Sequence, residues 1–306
     1  DFLLNYHKND IADMMAGMTE EERKRLYHLL GAQKVAEIFK YIEEPRKYIR
    51  ELSVESAARV ISEMDSDDAV DLLEDLDPEE KEQIVRMLDE DAKKDVKMLL
   101  SYDEEEIGSC MTTNYICIPE NLTIRQAMSE LVKQAGENDN IMTIYVVDEK
   151  GVFAGAIDLK DLIRARENAH LEDLVLKSYP YVTDHEKIDD CMDRILDYAE
   201  DSIPVLSEDK KILGVITSED LIEMVDNEMG EDYAKLAGLT AEEDLKEPTL
   251  QSMKKRLPWL IILLFLGMAV SSVVGLFENV VAVLPIVICF QSLVLDMAGN
   301  VGTQSL

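Results

Sequence analysis

Two acidic stretches hold the residues whose types and spacing could do chemistry. In "SDDAVDLLEDL", Ser66 to Leu76, Asp67 and Asp71 stand four apart, which puts both carboxylates on one face of a helix. In "TSEDLIEMVDNEMGEDYAKL", Thr217 to Leu236, the residues Asp220, Glu223, Asp226, Glu228, Glu231 and Asp232 follow one another along what reads as a continuing helix. Like charges at that density oppose folding and close docking unless cations lie between them. Magnesium suits such faces, because it takes oxygen ligands, keeps several of its waters and asks for only one or two carboxylates per ion. Capping and the helix dipole also draw acids to helix starts, so each carboxylate has a purely structural reading as well. A third stretch closes the chain: "LVLDMAGNVGTQSL" sets Asp296, Asn300, Thr303 and Gln304 among Gly299 and Gly302 after a long apolar run. An ionisable group in such a run is costly and usually faces a polar cavity, while the glycines permit close helix packing or exposed carbonyls.

The charge is lopsided. Residues 1–256 carry 31 basic against 62 acidic side chains, a net of −31, and beyond Arg256 only Glu278 and Asp296 are charged. Phosphate polymers would be repelled, so nucleic acid is not an expected partner and cations are. Cys110, Cys117, Cys191 and Cys289 form no CxxC and no ligand-like pairing with His7, His28, His170 or His185, which disfavours structural zinc and a disulfide scaffold. No Ser/His/Asp or Cys/His arrangement and no P-loop is present, so an enzyme is the least favoured reading. The chain begins without Met, and we expect it to be a segment of a longer protein, cut at both ends.

The elements that must position these residues fall into blocks. Over 1–107, "LSVESAARVISEM", "MDSDDAVDLLEDL", "LDPEEKEQIVRML" and "LDEDAKKDVKMLL" recur every twelve residues, with Leu52, Met64, Leu76, Leu88 and Leu100 in register. Ser53, Asp65, Asp77 and Asp89 fall at N-cap positions and Pro78 at a first turn, which predicts an all-α superhelix of short helices. A second repeat occupies 108–168 and 169–226: "YVVDEKGVFAGAIDLKDLI" matches "PVLSEDKKILGVITSEDLI" at an offset of 59. Each copy reads as strand, helix, strand, hairpin turn (Asp148 to Gly151, or Glu208 to Lys211), strand, helix, giving one α/β module. Residues 227–253 read as a connecting helix and 254–306 as an incomplete membrane segment of two helices. "LPWLIILLFLGMAVSSVVGLF", Leu257 to Phe277, is uncharged over about the length that spans a bilayer. Lys254, Lys255 and Arg256 before it, with Trp259 at the interface, place the preceding region in the cytoplasm.

The α/β tandem resembles a pair of CBS (Bateman) domains. "GVITSED", Gly214 to Asp220, is similar to the segment by which such domains hold a nucleotide's phosphate and ribose, which implies Thr217 and Asp220, with Asp161 in the first copy, as nucleotide contacts and ATP as a second ligand. The first copy departs from that pattern, since "GAIDLKD" puts Asp158 where the hydroxyl belongs. Taken together, the helical repeat, the CBS pair, the acidic helix and the closing "GNVGTQS" resemble the MgtE family of magnesium channels. That resemblance implies regulatory Mg²⁺ shared among Asp67, Asp71, Asp220, Glu223, Glu228, Glu231 and Asp232, with Glu37 as a further candidate, and a pore lined by Asp296, Gly299, Asn300, Thr303 and Gln304. It also implies a homodimer embedded in the lipid bilayer of the cytoplasmic membrane, importing Mg²⁺. A CBS-regulated carrier of Co²⁺ or Mn²⁺, or a membrane-tethered nucleotide sensor, fits the same residues.

Overall fold

The structure, a computed structural model, describes residues 6–225 except 43, 104, 137, 167 and 168, together with 249–276, 290, 293, 294, 297, 298 and 301. It divides into two compact units, residues 1–221 and 222–306.

The first unit opens with eight short helices: α1 (Lys8–Ala16), α2 (Glu20–Leu30), α3 (Ala32–Phe39), α4 (Pro45–Ile49), α5 (Val54–Ser62), α6 (Ser66–Glu74), α7 (Pro78–Met87) and α8 (Glu90–Leu99). From α3 onward neighbours in space are mostly next-but-one in sequence: α3 packs on α5, α5 on α7 and α6 on α8, as a superhelix requires. Ile61 and Leu73 are fully buried at its centre, and Leu76 and Leu88 of the twelve-residue register are buried with them. The expected caps stand at their expected positions, yet their side chains behave differently. Ser53 accepts from the Ser56 amide at 3.3 Å and Asp89 from the Ala92 amide at 2.9 Å. Asp65 and Asp77 make no such bond. Asp65 instead takes Lys40 and, at 2.8 Å, the Asn114 amide, while Asp77 takes Arg50 and, at 3.3 Å, Arg46. A carboxylate gains more from a charged donor than from a neutral amide, so the tertiary partner displaces the cap.

The α/β part follows the expected order twice. The first copy is β1 (Ile116–Pro119), α9 (Ile124–Gln134), β2 (Thr143–Val147), β3 (Phe153–Asp158) and α10 (Leu159–Arg164). The second is β4 (Val182–Thr183), α11 (Ile188–Tyr198), β5 (Ser202–Leu206), β6 (Ile212–Thr217) and α12, helical over residues 218–225. In each sheet the middle strand pairs parallel with the first and antiparallel with the third. Gly151 (φ 77) and Lys210 (φ 57) supply the left-handed residue in the two hairpin turns.

The two copies complete each other. Thr112, ahead of the first copy, exchanges two 2.9 Å backbone hydrogen bonds with Val215 on β6, and Leu176, ahead of the second, bridges Ala156 on β3. Buried Tyr145 on β2 meets the Ser202 hydroxyl on β5 at 2.6 Å, tying sheet to sheet. These close approaches explain the glycines of the repeated motif. A Cβ on Gly155 (φ 149) would lie 2.5 Å from the Leu176 carbonyl oxygen, and one on Gly214 would lie 2.7 Å from that of Thr112. Both distances are too short for any side chain.

In the second unit, α13 (Thr249–Leu276) is helical across Pro258 and presents exposed Leu260, Ile261, Leu264, Phe265 and Met268. The Ser272 hydroxyl donates back to the Met268 carbonyl at 2.8 Å, so that polar group is satisfied within the helix. The side chains of Lys255, Arg256 and Trp259 lie outside the described residues, as do Glu278 and most of the expected second helix. Among the described residues no helix is long and apolar enough to cross a membrane.

Gly155→Ala and Gly214→Ala should each lower unfolding stability by about 1–3 kcal/mol, the usual range for overpacking. Denaturant titration of the chain checks this, with Gly151→Ala, which meets no neighbour within 4 Å, reporting the cost of backbone conformation alone.

Candidate cation site

The start of α6, the segment leading into the first α/β copy and the start of α12 converge. Ser66, buried in the first turn of α6, accepts the Thr113 amide at 2.9 Å, and Thr113 in turn donates its hydroxyl to Asp95 of α8 at 2.8 Å. With Asn114 on Asp65 and Thr112 on Val215, residues 112–114 are held on one side by helices and on the other by β6. At the end of β6, the Thr217 amide donates to the Asp220 carboxylate at 2.7 Å and the Asp220 amide donates to the Thr217 hydroxyl at 3.3 Å, a reciprocal cap for α12.

This arrangement gathers negative charge. The Asp67 carboxyl is pushed well above the usual carboxylate range, first by burial and then by the fields of Asp220, Asp68 and Asp65. Its Oδ1 is buried and accepts no hydrogen bond from the described residues. Asp220 is pushed up to about 6 by burial, against the two Thr217 hydrogen bonds, with Asp68 and Glu219 adding repulsion. Burial, then Asp71, Asp220 and Asp67, raise the Cys110 thiol to about 11 despite its contact with Ser109, so a sulfhydryl sits among the three carboxylates. Lys40 contacts Asp65 and, at 3.3 Å, Asp68; these two hold its ammonium charged although burial opposes it. No cation reaches Asp67 among the described residues. An orphaned, buried carboxylate oxygen facing a second carboxylate is where a hydrated divalent cation fits. No group of three or more His, Cys, Asp or Glu side chains converges tightly enough, among the described residues, to hold a bare ion.

Of the residues singled out from sequence, Asp67, Asp71 and Asp220 come together here. Glu223 is exposed on α12, and Glu37 pairs with Lys8 at 3.0 Å on the outside of α3. Asp226, Glu228, Glu231, Asp232, Asp296, Gly299, Asn300, Thr303 and Gln304 lie outside the described residues. Sequence reasoning missed Cys110, Ser66 and Lys40, which belong to the site only through the fold. Asp65 and Asp68 were visible beside Asp67 in "MDSDD", but nothing local separates the two that meet Lys40 from the one that does not.

The nucleotide expectation meets a different geometry. Thr217 and Asp220 are engaged with each other, and Asp158 caps α10 by accepting the Lys160 amide at 2.7 Å. Asp161 lines a cleft of about 450 Å³ that also carries Asp158, Asp173, Glu200 and Asp201, a set that opposes a polyphosphate.

Residues 6–105 match the MgtE intracellular N domain, and residues 105–168 and 171–227 match CBS domains. Over its whole length the chain is 40% identical to the magnesium transporter MgtE of Enterococcus faecalis, of which it covers 68%. It belongs to the MgtE family. The MgtE magnesium transporters of Bacillus subtilis and Thermus thermophilus are 31% and 30% identical over 67% of the chain, which spans 46% of each. Among solved structures, the soluble part of a magnesium transporter superposes with a TM-score of 0.71 at 31% identity, over 74% of this chain and 90% of that one. The cytosolic domain of the Mg²⁺ channel MgtE in complex with ATP superposes with a TM-score of 0.66 at 27% identity, over 73% and 92%. The helical domain followed by a tandem CBS pair is thus the architecture of MgtE cytosolic structures.

In Mg²⁺-free buffer the acidic cluster gives a pH dependence of definite sign. The folded Asp220 value, about 6, lies above the ordinary 3.8, so folding favours the protonated form. The contribution of Asp220 to stability is then greatest below 3.8 and is lost as pH rises through about 6. Urea unfolding across that window should show the fall, and Asp220→Asn, which keeps the cap acceptor, should flatten it.

Proposed function

We propose that this chain is the sensing part, with the beginning of the pore, of a channel that imports Mg²⁺ across the cytoplasmic membrane and is gated by cytosolic Mg²⁺. It is a transporter rather than an enzyme. Residues 1–107 form the acidic helical domain, 108–168 and 169–226 the CBS pair, 227–253 the connecting helix, and 254–306 the entry into the membrane, with the preceding region in the cytoplasm. The single observation that carries the sensing role is the buried, unpartnered Asp67 Oδ1 in the field of Asp220. At low Mg²⁺ this juncture is strained by like charge and loosens. At high Mg²⁺ a hydrated ion bridges Asp67, Asp71 and Asp220, Glu223, Glu228, Glu231 and Asp232 are further candidate regulatory ligands by family resemblance, and the compact closed state is favoured by mass action. Asp296, Gly299, Asn300, Thr303 and Gln304 line the pore. Exposed Val132, Ile163 and Leu196 on α9, α10 and α11 suit a homodimer through the CBS helices. The five carboxylates of the CBS cleft favour Mg²⁺ over ATP as the principal effector.

Titrating the chain in detergent with Mg²⁺ should make it more compact by small-angle scattering and more resistant to protease between residues 100 and 120. Asp67→Asn and Asp220→Asn should each raise the midpoint by about tenfold, the effect of losing one charged ligand, and Asp67→Asn should be more stable than the parent without Mg²⁺. Scattering and proteolysis that stay unchanged through millimolar Mg²⁺ would refute the sensor.

A further inference from the structure

Between α2, α3 and α5 the sign of the charge reverses. A cavity of about 330 Å³ there is lined by Lys24, His28 and Arg59 and by no carboxylate, in a chain with 64 acidic against 31 basic residues. Elsewhere in the helical domain Lys8, Arg23, Lys40, Arg46 and Arg50 each meet a carboxylate. Among the described residues Arg59 meets none: its guanidinium reaches the Glu55 carbonyl and the Ser56 hydroxyl, both at a long 3.4 Å. Lys24 is held by an exposed pair with Glu20 one turn earlier, at 2.5 Å, which is worth little in water. The His28 ring makes no hydrogen bond or ion pair among the described residues.

The backbone at the cavity has the same sign. Gly31, on its wall, is the N-cap of α3 with φ 81, offers no side-chain cap, and is followed by no acid in the first turn. Among the described residues no side chain caps the first amides of α3, and the space above Gly31 is open, since a Cβ there would meet nothing within 4 Å. Ser56 adds a hydroxyl to the lining, and the remaining side chains, Tyr27, Ala32, Val35, Leu52 and Val60, are largely apolar. Three basic side chains from two helices, aided by free amides and backed by an apolar floor, match a doubly charged head on a small apolar body better than a monoanion.

We propose that this cavity binds a small phosphate monoester, its phosphate held by Arg59, Lys24 and His28 and its body lying against Tyr27 and Val35. The site is separate from the acidic juncture and does not depend on the Mg²⁺ reading. Calorimetry with phenyl phosphate, on the whole chain in detergent at low salt without Mg²⁺, should show saturable binding with a dissociation constant below about 1 mM. Arg59→Gln and Lys24→Gln, both exposed and so expected to leave the unfolding midpoint unchanged, should each weaken it by about tenfold or more. Phenol, the same body without the phosphate, should not bind. The proposal is overturned by no saturable heat up to about 10 mM, by binding that survives Arg59→Gln undiminished, or by phenol matching phenyl phosphate.

Discussion

A carboxylate withdrawn from water with no positive partner is the constraint around which this structure is arranged. Asp67 is in that position, and Asp220, Asp68 and Asp65 add to the field at its buried oxygen. Each of its neighbours has found some relief: Lys40 for Asp65 and Asp68, and the Thr217 amide for Asp220. The neutral bonds of the same juncture, Thr113 on Ser66 and Asn114 on Asp65, hold the helical domain against the CBS pair without reducing the charge. In this contact the hydrogen bonds attract while the carboxylates repel, which is the physical basis of the proposed response to cations.

The strand exchange determines how far such a change can be felt. Residues 113 and 114 touch the start of α6 and α8 through the Thr113 amide and the Thr113 and Asn114 side chains, while the backbone of Thr112 extends the sheet of the second CBS copy at Val215. Leu176 does the same for the first copy at Ala156. Neither sheet is complete without the segment that leads into its sister. A displacement of α6 therefore acts on the end of β6, and so on the Thr217–Asp220 cap, through backbone hydrogen bonds and not through a flexible linker. Gly155 and Gly214 belong to the same device, because the exchanged backbones occupy the space where their side chains would be.

Much of this was legible in the sequence, and what was not has a common physical cause. Periodicity and capping residues located the helices, since those signals depend on a few neighbouring positions, and the offset of 59 located both α/β copies down to their hairpin turns. Partner choice was not legible. Asp65 and Asp77 look like the caps Ser53 and Asp89, but their side chains turn to Lys40 and to Arg50 about 25 residues earlier. The motif glycines read as part of a nucleotide-binding signature, whereas here their visible role is to admit a foreign strand. Glu37 looked available for metal and instead faces Lys8. In each case the deciding atom comes from another element, and local pattern carries no information about it.

Pairing also separates the acidic residues that hold the fold from those free to hold an ion. Along the helical repeats, cations in α4 or at the ends of α3 and α4 fall on carboxylates at the starts of later helices: Lys40 on Asp65 and Asp68, Arg46 on Asp77, and Arg50 on Asp77 and Glu80. Asp89 is used as a cap. These acids are neutralised by the protein itself, and an added divalent ion would have to displace a covalently tethered cation to reach them. Asp67 sits two residues beyond the N-cap, between the two acids that meet Lys40, and its carboxylate lies instead in the field of Asp220. High overall acidity thus says little about where a cation binds. The feature that carries the proposed site is local: a carboxylate buried next to another negative group, at a boundary between domains, and left without a hydrogen-bond partner among the described residues.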